Sequence, residues 1–90
     1  SAWTNLAVDL FKSGDVSGAE DGFRRAQAIW EARLGRLHRE TISNLWNIGR
    51  MSELLGRYAE SVSVFEDLDA RTRGEAVAVA LKDGLVTPPN

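Results

Sequence analysis

The sequence predicts an all-α fold made of two antiparallel helix-turn-helix repeats and a short C-terminal capping helix. Three observations indicate this fold class. Apolar residues recur at intervals of three and four, glycines interrupt that pattern at regular places, and the two halves of the chain resemble each other. The 90 residues suffice for one small domain.

The internal repeat has a period of 42 residues. Shifting the chain by this distance superposes identical residues, among them Asn5 on Asn47, Gly14 on Gly56, Phe23 on Phe65 and Ala28 on Ala70. Because small and apolar positions between these pairs also match, we expect both copies to form the same pair of helices.

The first repeat covers about residues 1 to 38. Its first helix, from about residue 2 to 13, carries one apolar stripe: Trp3, Leu6, Ala7 and Leu10. Gly14 is expected to end this helix, and Asp15 or Ser17 to cap the next one. The second helix has its own apolar face and ends at Leu34-Gly35; that face is Ala19, Phe23, Ala26 and Trp30.

The second repeat covers about residues 39 to 73 and follows the same pattern. Its first helix is predicted to bury Leu45, Ile48, Gly49 and Leu55, and its second to bury Tyr58, Val62, Phe65 and Leu68, with a stop at Gly56. A glycine inside a helix costs about 1 kcal/mol relative to alanine, so Gly49 predicts a close contact with the paired helix.

The regular pattern ends after Arg73-Gly74. Residues 75 to 83 are predicted to form a separate capping helix over the second hairpin, because the last repeat otherwise lacks a neighbour. Residues 84 to 90, which include Pro88-Pro89, are predicted to form a tail.

Composition excludes several classes of function. The net charge of -2 gives no general attraction to nucleic acid, and the longest apolar run, Ala76 to Leu81, is far shorter than the roughly 20 residues of a membrane span. The chain has no cysteine, which excludes thiolate sites and agrees with a reducing compartment such as the cytoplasm without determining the localisation. No catalytic residue, metal ligand or cofactor is predicted.

These residues resemble the tetratricopeptide repeat family. In the first copy the family's spaced signature is matched by Trp3, Leu6, Ala7, Leu10, Gly14, Ala19, Phe23 and Ala26, and in the second more loosely by Leu45, Ile48, Gly49, Gly56, Tyr58, Ser61, Phe65 and Leu68. The period and the linker residues Leu34-Gly35, His38 and Thr41 are similar to the longer variant found in kinesin light chains. Arg39 and Ser52 depart from that variant, where proline and a large apolar residue are usual.

The resemblance implies a fragment of a right-handed superhelical α-solenoid that binds a peptide segment or helix of a partner protein. The concave groove would be lined by the first helix of each repeat, as in an adaptor, scaffold or regulatory domain. The residues it points to are Thr4, Asn5, Val8, Lys12, Trp46, Asn47, Arg50 and Glu53.

Two asparagines one repeat apart, Asn5 and Asn47, are the main candidates. A side-chain amide both donates to and accepts from a peptide backbone, although each asparagine could instead bond to a neighbouring helix. Trp46 lies off the core stripe and is either a binding anchor or a residue packed on the first repeat. Trp3 and Trp30 are expected to be structural.

Lone His38 is interpreted as a linker residue bonded to a helix end, since no cysteine or second histidine accompanies it. The alternative function is structural: the chain oligomerises or stacks on further repeats through apolar end surfaces.

Overall fold

The computed structural model describes residues 2 to 84. It has four helices: α1 (Ala2–Lys12), α2 (Val16–Leu34), α3 (Arg39–Leu54) and α4 (Tyr58–Lys82). Each helix packs against the next one in the chain, and residues 2 to 84 contain no strand. The predicted all-α fold with two helical hairpins is therefore confirmed. None of these helices is long and apolar enough to cross a membrane.

The turns within the two hairpins form where glycine permits a left-handed backbone. Gly14 has φ of 92° between α1 and α2, and Gly56 has φ of 77° between α3 and α4. Asp15 then caps α2, because its Oδ1 accepts a hydrogen bond of 2.8 Å from the amide of Gly18. Both predicted stops are confirmed, and of the two predicted caps, Asp15 or Ser17, Asp15 is the one that caps α2.

The core lies along the interfaces between successive helices and contains both small and large side chains. Its buried members are Ala7, Ala19, Phe23, Leu45, Ile48 and Met51. Small residues let the helices of each hairpin approach closely. A Cβ built on Gly49 would lie 2.8 Å from Cζ of Phe65, which confirms the predicted close contact at this glycine.

The predicted break at Arg73-Gly74 is wrong, because α4 continues through it to Lys82. Residues 75 to 82, predicted as part of a separate capping helix, are the last turns of α4. A helical glycine costs only about 1 kcal/mol, which packing can offset. Here Leu37 of the linker covers Gly74, with Cδ2 3.3 Å from a Cβ built on the glycine. Of the predicted tail, residues 85 to 90 lie outside the described residues.

Several residues predicted on apolar core stripes are exposed. Leu6 of α1 is 47% exposed, whereas Ile48, which occupies the same place in the second repeat, is 2% exposed. Tyr58 and Val62 of α4 are exposed as well. The reason is that α2 covers the outer face of α3, while no described helix covers the corresponding face of α1 or the far side of α4.

Candidate functional site

The eight residues singled out from the sequence lie on the first helix of each hairpin. Those on α1 are Thr4, Asn5, Val8 and Lys12, and those on α3 are Trp46, Asn47, Arg50 and Glu53. Four are exposed: Asn5, Lys12, Trp46 and Arg50. The other four are half-buried. Spacings of three and four residues align Asn5, Val8 and Lys12 along one side of α1, and Trp46, Arg50 and Glu53 along one side of α3.

Two of the eight meet at a small cavity between α1 and α3. Thr4 of α1 and Asn47 of α3 border it, and Trp30 of α2 is also in its wall. The cavity has a volume of about 60 Å³, and its remaining lining residues are Glu40, Ser43 and Asn44. We refer to it as the α1/α3 cavity. The other six candidates are not among its lining residues in the described part of the chain.

Asn44 is the lining residue that sequence reasoning missed. Its Nδ2 donates to the carbonyl oxygen of Phe23 at 2.8 Å and to Oε1 of Gln27 at 2.9 Å, so this amide links α3 to α2. Its Oδ1 is buried and has no hydrogen-bond partner in the described residues. An unsatisfied buried acceptor costs about 1–3 kcal/mol, and this oxygen is closed to solvent, so that cost is carried by the fold.

The two predicted amides behave differently from Asn44. No hydrogen bond joins the side chain of Asn5 or Asn47 to another of residues 2 to 84. The bond to a neighbouring helix that was the alternative for these two asparagines is therefore made by Asn44, three residues before Asn47.

Arg50 and Glu53 form an ion pair with each other across one turn of α3. Both side chains are more than one-third exposed, so the pair is worth little to stability and can be opened at small cost. Trp46 is 50% exposed on the same side of the helix. This side of α3 thus presents a large apolar surface beside two charges of opposite sign.

The other two tryptophans are partly buried. The guanidinium of Arg25 lies over the ring of Trp3, with Cζ 5.0 Å from the ring centroid, which is a cation–π geometry. Trp30 is half-buried and borders the α1/α3 cavity.

A polar network joins the two hairpins at Ser52, a position that departs from the longer repeat variant. Oγ of Ser52 donates to Glu20 at 2.9 Å, and Arg57 donates to the other carboxylate oxygen of Glu20 at 2.6 Å. Ser52 is fully buried, so a large apolar side chain would leave the buried Glu20 with one partner fewer. The serine therefore fits a glutamate on the facing helix.

His38 caps α3, which confirms its interpretation as a residue bonded to a helix end. Its Nδ1 accepts a hydrogen bond of 3.1 Å from the amide of Glu40. Within residues 2 to 84, no group of three or more His, Cys, Asp or Glu side chains is arranged to hold a metal ion.

A second, larger cleft lies between α2 and α4. Its volume is about 310 Å³, and ion pairs bridge it: Arg24 to Glu60, and Glu31 to Arg71 at 2.7 Å. Burial alone would lower the pKa of Arg71, but its hydrogen bonds to Asp67 and Glu31 outweigh burial and raise that pKa above its ordinary value. The guanidinium is charged at every working pH and fastens α4 to α2.

Comparison with known proteins gives one match. A family model described as tetratricopeptide repeat matches residues 1–68. No curated protein and no solved structure shows significant similarity to the chain.

Proposed function

The chain belongs to the tetratricopeptide repeat family, and we propose that it binds a segment of a partner protein along α1 and α3. The family indicates a module for protein–protein interaction. Binding of an extended peptide or a helix in the groove, in an adaptor, scaffold or regulatory role, is the specific form of that interaction proposed here.

The observation that carries the proposal is the exposed face of α3. Trp46 is half exposed to solvent. It lies one helical turn before Arg50 and two turns before Glu53 on α3. Tryptophan and arginine dominate the energetics of protein interfaces, because tryptophan buries a large rigid ring and the arginine guanidinium donates several hydrogen bonds at once. No core requirement explains an exposed tryptophan at this place, whereas a bound segment would cover it.

The side-chain amides of Asn5 and Asn47 support the proposed binding of an extended segment. They lie at equivalent places on α1 and α3 and make no side-chain hydrogen bond to another described residue. Each can donate to a backbone carbonyl and accept from a backbone amide of a ligand, which fixes the ligand without reading its sequence.

The test is a quantitative binding measurement with the double variant Asn47→Ala with Arg50→Ala. A partner recovered with the wild-type domain is titrated against both proteins, and we expect the variant to bind at least about tenfold more weakly, a loss of about 1.4 kcal/mol. Its helical content and melting temperature should stay near wild type, because both changes are outside the buried core.

The matched control is Ser63→Ala with Glu66→Ala, two exposed residues on α4. It removes polar side-chain atoms away from α1 and α3 and should bind like wild type. If the Asn47/Arg50 variant bound the partner as tightly as wild type, the surface of α1 and α3 would not be the binding site.

A second candidate function is assembly, and the exposure of Leu6 favours it. Its counterpart Ile48 is covered by α2, so a second copy that placed its α4 on α1 would cover Leu6 in the same way. Exposed Val62 on α4 supplies apolar surface for the complementary side. This arrangement is head-to-tail, with each copy continuing the repeat of the one before.

Sedimentation over a wide range of concentrations tests the assembly. The wild type should associate with increasing concentration, and Leu6→Asn should weaken that association. Leu54→Asn, at a leucine of similar exposure on α3, is the control. A wild type that stays monomeric throughout would contradict this candidate.

A further inference from the structure

We propose that ion pairs across the cleft between α2 and α4 set the angle between the two hairpins, and with it the width of the groove between α1 and α3. The first hairpin is α1 with α2, and the second is α3 with α4. This inference rests on the proposed binding of a partner segment along α1 and α3, and it adds a means of regulating that surface. It is carried by where the hairpins touch and by where the ion pairs lie.

The backbones of the two hairpins approach closely at α2 and α3. Among the four described helices, no Cα atom of α1 lies within 8 Å of one in α3, and none of α2 lies within 8 Å of one in α4. Asn44 and Ser52 of α3 hydrogen-bond to α2 two turns apart, which limits sliding of these two helices. Rotation about their line of contact leaves both hydrogen bonds nearly unchanged, so it is the motion left open to the hairpins.

The groove and the cleft lie on opposite sides of this contact. Successive residues of an α-helix are turned by about 100°, which orders four residues around α3 as Asn47, Asn44, Ser52 and Gly49. Asn47 borders the α1/α3 cavity, and Gly49 lies against the ring of Phe65 on α4. Asn44 and Ser52, which bond to α2, stand between them. A rotation that opens the cleft therefore narrows the groove.

Ion pairs bridge the cleft near both of its ends. Arg24 in the first half of α2 pairs with Glu60 in the first turn of α4. Glu31 near the end of α2 pairs with Arg71 of α4 at 2.7 Å. Both pairs join helices whose backbones stay apart, so opposite charges draw α2 and α4 together along the length of the cleft.

Electrostatic attraction between the hairpins acts on the cleft side. Asp67 of α4 extends the pair at Arg71 into a network, because it accepts from Arg71 at 3.0 Å and lies 3.5 Å from Arg36 of the linker after α2. Linked charges of this kind are more effective than an isolated surface pair. In the described part of the chain, no ion pair joins α1 to α3 or to α4. The attraction is therefore one-sided and holds the groove open.

The apolar floor of the cleft resists its opening. Leu45 and Ile48 of α3 line the cleft and are 6% and 2% exposed, so widening it would bring buried apolar surface into contact with water. Like charges placed across the cleft would push against this resistance. Because the side chains of Arg24 and Glu60 are each 42% exposed, water and salt moderate that repulsion, which shifts the angle without unfolding the domain.

The test measures the widths of the cleft and the groove in the same protein by double electron–electron resonance. The chain has no cysteine, so introduced cysteines carry the two spin labels without ambiguity. Ala32→Cys with Ala70→Cys reports the distance from α2 to α4, and Lys12→Cys with Leu54→Cys reports the distance from α1 to α3. All four positions are exposed. The distances are recorded in monomeric protein, with helical content checked by circular dichroism.

The variant Glu60→Arg places two guanidinium groups against each other across the cleft. The distance from α2 to α4 should increase by about 1–2 Å, the usual size of helix shifts at an interface, and the distance from α1 to α3 should decrease. Adding Arg24→Glu restores opposite charges and should return both distances toward wild type. In wild type, about 1 M sodium chloride should act in the same direction as Glu60→Arg, because it shortens the Debye length to about 3 Å.

The matched control is Glu66→Arg. Glu66 is an exposed carboxylate on α4 that takes part in none of the described ion pairs, and its reversal changes the net charge equally. Both distances should stay at their wild-type values. The control of the groove by ion pairs is overturned if Glu60→Arg and high salt leave both distances unchanged, if the two distances change in the same direction, or if Glu66→Arg has the same effect as Glu60→Arg.

Binding of a partner recovered with the wild-type domain completes the test. Glu60→Arg should bind it at least about fivefold more weakly than Glu66→Arg, the lower end of typical coupling between sites. Equal binding by these two variants would overturn the regulation of the surface. The proposed partner binding is judged separately, since a partner that depends on Asn47 and Arg50 but not on Glu60 keeps the binding surface and excludes its control by the cleft.

Discussion

The ring of Phe65 on α4 covers the α-carbon of Gly49 on α3. A Cβ added to Gly49 would lie 2.8, 2.9 and 3.1 Å from three atoms of that ring, closer than side chains pack without displacement. Gly49 therefore allows α3 and α4 to pack at this short distance. Its cost as a helix residue, about 1 kcal/mol, is offset by the contact that it permits.

The variant Gly49→Ala should be less stable than wild type by about 1 kcal/mol. Alanine gains about 1 kcal/mol in helix propensity, but overpacking a core contact costs roughly 1–3 kcal/mol, so the clash outweighs the gain. Urea unfolding followed by circular dichroism measures the difference. In a Phe65→Leu background the same change should cost less, because the ring is gone. Equal stability of Gly49→Ala and wild type would show that the ring moves aside freely.

The variant Gly74→Ala should have the opposite sign and stabilise the protein by about 0.5–1 kcal/mol. The neighbour here is the side chain of Leu37, 3.3 Å from the added Cβ, and it belongs to an exposed linker that can shift by the few tenths of an ångström required. The same urea titration compares the two glycine variants directly. Destabilisation of Gly74→Ala would mean that the Leu37 contact is as rigid as that of Phe65.

Replacement of Asn44 by alanine should lower the free energy of unfolding by about 1–3 kcal/mol. The change removes both hydrogen bonds to α2 and leaves Oε1 of Gln27 buried without its donor. Asn47→Ala, the same substitution one turn later, should stay within about 0.5 kcal/mol of wild type, since that amide bonds to no other described residue. If both variants lost the same stability, the link through Asn44 would not be specific.

The variant Arg71→Met should destabilise the protein by about 1–2 kcal/mol. It removes a guanidinium whose side chain is 8% exposed and leaves Glu31 and Asp67 unpaired, but these carboxylates are more exposed and can be hydrated, so the cost stays below that of a fully buried pair.

Arg73→Met is the control for that change, because Arg73 is 74% exposed and pairs with Asp69 on the surface. It should change the stability by less than about 0.5 kcal/mol, and added salt should reduce that difference further, because salt screens an exposed ion pair. A small effect at both arginines would mean that α4 is held to α2 by apolar contacts.

Helix positions could be predicted from the sequence because strong local signals decide them. Gly14 and Gly56 adopt the left-handed conformation that ends a helix, and no other residue type offers it at so little cost. Gly74 is also a glycine but stays helical, because its neighbours and the contact with Leu37 favour the continuation of α4. A helix-propensity difference of about 1 kcal/mol does not determine whether a glycine ends a helix or continues it, so the tertiary contact decides.

The site could be predicted only in part for a related reason. Periodicity places Leu6 and Ile48 on equivalent stripes, but it does not state which stripe another helix covers. The repeat pattern does not reveal Asn44, because the equivalent residue of the first copy is Ala2, which has no amide side chain. The cavity beside Asn44 arises from three helices at once, which no single stretch of sequence reveals.

The polar contacts of Asn44 and Ser52 with α2 also limit how far the two hairpins can slide along each other. Apolar surfaces of Ala, Leu and Ile tolerate displacement by one helical turn, about 5.4 Å, because another set of similar side chains comes into contact. The backbone carbonyls of α2 repeat at every turn, but the bonds from Asn44 to Gln27 and from Ser52 to Glu20 need those particular side chains. The register between the hairpins is therefore set by Asn44 together with Ser52 and Glu20, and with it the spacing between α1 and α3.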